Sequence, residues 1–193
     1  RVYDRALTTR EQAEVEFELA TRWSLPTLGT TGPCDVPAVA AHTVDAEILG
    51  TEPYRGKTGA VLEDWSDGVL DFSFANLPEE GKTLTYIASD GEDAAFVPRT
   101  AGSQTLQTGR TWYIATAVPD AGAALAFSVD TSDAADWKYR LCCKRNGATA
   151  FARLDVEPTV TDGKVSFALA AMENGTYRLQ RSPANLGLVI VVE

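Results

Sequence analysis

The chain has 193 residues, of which 45% are apolar and 23% charged, proportions close to those of globular domains, so wholesale disorder is excluded. Its formal charge of −10 argues against nucleic acid or an anionic lipid surface as partner, because either polyanion is repelled by the summed field; a protein or a neutral glycan fits better. The longest apolar run, residues 186–192, is far too short to cross a bilayer, and Arg1-Val2-Tyr3-Asp4 carries no signal-peptide pattern, although a leader removed earlier is equally compatible.

In chain order, Thr9 followed by Gln12 suggests a short capped helix. Residues 13–23 then place Val15, Phe17, Leu19 and Trp23 on one face only if the backbone is extended, so a strand is expected. Residues 25–39 are rich in Pro, Gly and Thr and read as a loop. Strands are expected at 43–49 and 60–64. Asp67-Gly68 introduces a hairpin of residues 69–74 and 83–88, and a strand at 94–97 closes the first half. Residues 98–109 are polar and aperiodic and read as a linker. Further strands follow at 111–118, 123–129 and 137–143, with Asn146-Gly147 as a hairpin turn before 148–155. Asp162-Gly163 leads into a second hairpin, whose arms carry Val165, Phe167, Leu169 and then Tyr177, Leu179 at a period of two, with Asn174-Gly175 between them. The last expected strand is 186–192.

Residues 67–75 and 162–170 share Asp, Gly, Phe and Ala at an offset of 95, and Leu19-Ala20-Thr21 stands at the same offset from Ile114-Ala115-Thr116. A common offset of separated landmarks points to an internal repeat. The expected fold is therefore all-β, two tandem immunoglobulin-like sandwiches at 1–97 and 110–193 with the linker 98–109 between them.

Candidate chemistry is sparse. His42 is the sole histidine, so any Ser-His-Asp or Cys-His device must pass through it, yet its neighbours form no nucleophile elbow, and a surface or loop position is expected. One histidine and scattered cysteines do not assemble a tetrahedral zinc site, and no cofactor is expected. Asp130, Asp133 and Asp136, and likewise Asp90, Glu92 and Asp93, are acidic loops without the spacing of a calcium loop. Asp64 and Asp67 are a conceivable glycosidase pair. Of Trp23, Trp65, Trp112 and Trp137, only Trp65, beside a turn, is expected to be exposed and available for stacking on a sugar. Asn174-Gly175-Thr176 fits the N-glycosylation pattern but has its own use as a turn. Three cysteines, two of them adjacent at Cys142-Cys143 on opposite faces of a strand, are expected to be free thiols, which favours folding in a reducing cytoplasm.

The second half, from Gly109-Arg110-Thr111-Trp112-Tyr113 through Asp162-Gly163-Lys164-Val165-Ser166-Phe167 to Gly175-Thr176-Tyr177-Arg178-Leu179, resembles the β-sandwich modules at the start of tailed-phage upper-baseplate and fibre proteins, with Gly175 and Tyr177 in the place of their terminal G-x-Y. The first half joins this likeness through the repeat alone, since Gly81 is followed by Lys82-Thr83-Leu84 without the tyrosine. The resemblance implies a virion structural part with no catalytic residues. The leading expectation is a non-enzymatic decoration, neck, baseplate or fibre component, assembled in the host cytoplasm with copies of itself or other virion proteins. A bacterial cell-surface adhesin or glycan-binding module is the alternative, and a carboxylate glycosidase the third reading. Because residues 186–192 are apolar on both faces, the outward side chains among Leu188, Ile190 and Val192 are expected to be buried against a partner subunit or the parent particle.

Overall fold

A computed structural model describes residues 41–49, 64–76, 85–116, 119–131 and 134–184. They form an all-β sandwich of two antiparallel sheets. The smaller sheet runs in the order β11 (Thr159–Thr161), β12 (Lys164–Leu169), β8 (Ala123–Ser128), β3 (Leu70–Phe74), β2 (Asp64–Ser66). The larger contains β1 (Val44–Leu49), β4 (Thr85–Ser89), β7 (Trp112–Thr116) and β13 (Gly175–Pro183) side by side. The hairpin β5 (Phe96–Pro98) and β6 (Leu106–Thr108) continues the β7 side of β13, and β9 (Trp137–Arg145) with β10 (Ala152–Arg153) lines its other side.

Alternation decides the smaller sheet. Leu125 and Phe127 of β8, Leu70 and Phe72 of β3, and Val165, Phe167 and Leu169 of β12 point inward, while Ala124, Ala126, Ser73 and Ser166 face away. The larger sheet contributes Ile87, Trp112, Ile114, Leu141, Cys143, Tyr177 and Leu179 to the same core. Trp112 meets Phe127 edge to face at 5.2 Å, and Phe127 meets Phe167 at 6.1 Å, so the two sheets interlock through rings whose burial stabilises by roughly 1.5–3 kcal/mol each. The central strands β4 and β7 are buried along their whole length. Tyr86, Ala88, Tyr113 and Ala115 are thus covered on the face turned away from the core, which explains why these strands show no polar alternation.

This pairing corrects two expectations. Residues 98–109 do not separate two units among the described residues: they hold the β5–β6 hairpin, and β6 bonds to β13. On either side of them, β3 bonds to β8 and β4 to β7, so residues assigned to two tandem sandwiches share both sheets and one core. The repeated phrase has a different physical origin. Asp67-Gly68 turns β2 into β3, Asp162-Gly163 turns β11 into β12, and β3 and β12 then flank β8 from opposite sides, with Phe72 and Phe167 both opposite Leu125. Gly68 and Gly163 both adopt positive φ, 83° and 78°, the conformation such turns need. The copies are two hairpins in one sheet.

Neither expected long hairpin forms. β12 and β13 belong to different sheets, as do β3 and β4. Between β12 and β13 the chain crosses over at Met172, which is buried and whose N–H donates to the Pro119 carbonyl at 2.9 Å. Gly175 is therefore needed for closeness and not for a turn: a Cβ there would lie 2.4 Å from the Lys144 carbonyl oxygen. The Asn146-Gly147 turn is observed as expected, with Gly147 at φ 78°.

Candidate functional site

On the face of the larger sheet turned away from the core lies a cavity of about 420 Å³, walled by His42, Thr111, Lys144, Asn146, Phe151 and their neighbours. The β4–β7 ladder builds its polar wall. Ser89 lies opposite Trp112, which brings Asp90, just past β4, against Thr111, just before β7. One carboxylate oxygen of Asp90 accepts both the Thr111 N–H at 3.0 Å and the Thr111 hydroxyl at 2.6 Å. The hydroxyl has a single proton and has given it to Asp90, so at the His42 Nε2, 2.8 Å away, it accepts. The imidazole therefore carries its proton on Nε2. His42 is only 5% exposed, its carbonyl accepts from the Tyr86 hydroxyl at 2.7 Å, and its ring tilts over Tyr113 at 5.9 Å.

The other walls come from the loop after β9. Asn146 Nδ2 donates to the Tyr113 hydroxyl at 2.9 Å, and Arg145 forms a bidentate pair with Glu173 that holds the glutamate carboxyl below the usual range, against a smaller opposing effect of burial. Phe151 lies against Arg178, whose guanidinium carbon is 3.2 Å from the ring centroid. The result is a small pocket with a histidine–hydroxyl–carboxylate wall, an amide, an aromatic side and the cations of β9 at its rim. It can bind a small polar group. The Thr111 hydroxyl, with its proton on Asp90 and a lone pair on His42, is not arranged as a nucleophile.

The histidine expected on the surface is thus buried beside its loop, and its partners were missed because residues 42, 90 and 111 meet only through sheet register. Asp67 and Asp64 do not form a glycosidase pair. One Asp67 oxygen accepts from the N–H groups of Val69 and Leu70, at 2.9 and 2.8 Å, and the other from Trp112 Nε1 at 2.8 Å and Arg110 at 3.1 Å. The Asp67 side chain is fully enclosed, whereas Asp64 is exposed on β2. Asp90 and Asp93 bond within their own turns, through the N–H groups of Glu92 and Ala95, and among the described residues no three His, Cys, Asp or Glu side chains converge as a metal site.

Trp65, expected to be exposed, is 9% exposed and donates to the Asp45 carbonyl at 2.7 Å, so it offers no sugar platform. Trp112 is a core residue as expected, and Trp137 stacks on Arg181. Asn174 exchanges hydrogen bonds with the Thr116 backbone, its amide accepting at 2.8 Å and donating at 3.2 Å; this closes the strand end, and Thr176 is buried. Cys142 and Cys143 are free thiols on opposite faces, and burial pushes Cys143 up to about 12. Cys34, Trp23, Asp133 and the proposed interface residues Leu188, Ile190 and Val192 lie outside the described residues. Comparison with known family models, curated proteins and solved structures returns no match for the chain.

Proposed function

We propose that the chain is a non-enzymatic structural component of a tailed-phage virion, a sandwich that serves as a spacer and docking body in the manner of immunoglobulin-like modules. The observation that carries this reading is the use to which the polar side chains are put. His42, Thr111 and Asp90 tie the segment before β1 to β4 and β7, and Asp67 ties the β2–β3 turn to the start of β7. Groups of the types that catalysis employs are committed to joining strands, which is the work of a scaffold. The Gly175-Thr176-Tyr177 step supports the resemblance as well. Gly175 permits the close approach of β9, and the Tyr177 hydroxyl donates to the Glu173 carbonyl and accepts from its N–H, so the step has a defined structural task.

The test is to purify particles from a producing culture by density gradient and locate the protein by mass spectrometry. The reading expects a fixed copy number per particle. Recovery in the cell envelope would replace it with the adhesin reading, and recovery only among free proteins would end it.

A further inference from the structure

The charge of this molecule is unevenly placed. Of the ten lysines and arginines among the described residues, eight lie on β9, β10, β13 or the turn after β5. The two others, Arg110 and Lys164, are paired with Asp67 and Asp71; of the eight, Arg145 is paired with Glu173 and Arg153 with Glu157. Because Leu141, Cys143, Tyr177 and Leu179 point into the core, alternation sends Lys138, Arg140, Cys142 and Lys144 of β9 and Arg178 of β13 to the opposite face. Arg178, Arg99, Arg140 and Arg153 all lie close enough to Cys142 to act on its thiol. Arg178 is half-buried with no carboxylate on it, and its Nε is enclosed without a partner. Burial and the nearby Arg99 charge both hold its guanidinium below its usual pKa. Such a crowd of like charges is tolerated more readily when an anion meets it.

The opposite end of the same sheet carries the complement. One row of the larger sheet runs Val44, Ser89, Trp112, Tyr177, Cys143, Ala152, five strand spacings or roughly 24 Å. Beside Val44 the loop of residues 90–93 packs so closely that a Cβ on Gly91 would lie 2.7 Å from a Val44 methyl. Trp65 bonds to Asp45 and so brings β2 to the same end. The carboxylates there, Asp45, Asp64, Glu92 and Asp93, are exposed and make no ion pair among the described residues.

We propose that copies of this chain associate head to tail, the arginine-rich β9–β10 face of one molecule docking on the acidic β1–β2 end of the next. An arrangement with different patches on the two sides is heterologous, and it closes into a ring or grows as a row. A nucleic acid is the less suitable occupant because the whole chain, at −10, repels a long polyanion that extends past the basic face. This contact deepens the assembly reading above, and its test uses the pure protein without particles, so the two ideas fail separately.

Sedimentation velocity of the intact chain at about 100 μM in about 50 mM salt should show association that weakens at least roughly tenfold at about 500 mM. The pair Arg140→Glu with Arg153→Glu should be monomeric, as should Asp64→Lys with Glu92→Lys, while circular dichroism shows both folded. Mixing the two variants should restore association, because the intact basic face of the second meets the intact acidic end of the first as in the wild type, and the reversed face of the first meets the reversed end of the second with the charges exchanged. A monomeric wild type, variants that associate like the wild type, or a mixture that stays monomeric would each overturn the proposal. Binding of a DNA or RNA duplex by a monomeric wild type, lost in the arginine variant, would overturn it in favour of a nucleic-acid site.

Discussion

The hairpins β2–β3 and β11–β12 carry the same phrase and bear different loads. Both turn on Asp-Gly, both send a phenylalanine into the core opposite Leu125, and together they hold β8 between them. Asp67, however, is enclosed and accepts four hydrogen bonds, two of them from residues at the start of β7 in the other sheet. Asp162 is exposed and occupies a positive-φ position at 50°. The same dipeptide is a turn in both places and a fastener between the sheets in only one, so sequence likeness here marks equivalent backbone geometry and not equivalent energetics.

The likeness is tested by the phenylalanines. Phe72→Ala and Phe167→Ala should each cost about 3–5 kcal/mol, because both remove a fully buried ring from one continuous core. Urea denaturation of the two variants should give similar losses; a loss under about 1 kcal/mol in either would break the equivalence across β8.

The difference is tested by the aspartates. Asp67→Asn keeps the shape but turns an amide N–H₂ toward the Trp112 and Arg110 donors, or, if flipped, toward the Val69 and Leu70 N–H groups, and should cost about 2–4 kcal/mol. Asp162→Asn, in a left-handed conformation that asparagine also accepts, should lie within about 0.5 kcal/mol of wild type. Equal effects in thermal or urea unfolding would erase the distinction.

A weaker link joins the two hairpins directly. Lys164 of β12 reaches Asp71 of β3 at 2.5 Å across the outer face of β8, with both side chains well exposed. Burial tends to raise the Asp71 carboxyl, but the Lys164 and Ser66 hydrogen bonds outweigh it and hold the group below its usual value. A lowered carboxylate pKa stabilises at pH values above the ordinary aspartate range and ceases to do so as pH falls through the lowered value. Lys164→Ala should therefore cost under about 1 kcal/mol at neutral pH. In an NMR titration it should move the Asp71 carboxyl upward; an unmoved titration would show that the two hairpins are not joined there.

Much of the strand content was legible. Val165, Phe167 and Leu169, or Leu125 and Phe127, announce a one-sided strand because the pleat has a period of two. The candidate site was not. The immediate neighbours of His42 carry no sign of its environment, which is made by Asp90 and Thr111 through the pairing of β4 with β7. Nearness to a turn suggests exposure for Trp65, whereas the carbonyl of Asp45, 20 residues earlier in the chain, draws it inward.

The order of residues by itself determined where strands run and where Asp67-Gly68, Asn146-Gly147 and Asp162-Gly163 reverse the chain, since positive φ and alternation are properties of a few adjacent residues. Which strand lies beside which was decided only in the tertiary structure. Backbone hydrogen bonds are the same for every sequence, so a ladder accepts any extended neighbour; β3 joined β8, and β12 and β13 parted to opposite sheets, because one sandwich could then enclose Trp112, Phe127, Phe72 and Phe167 together.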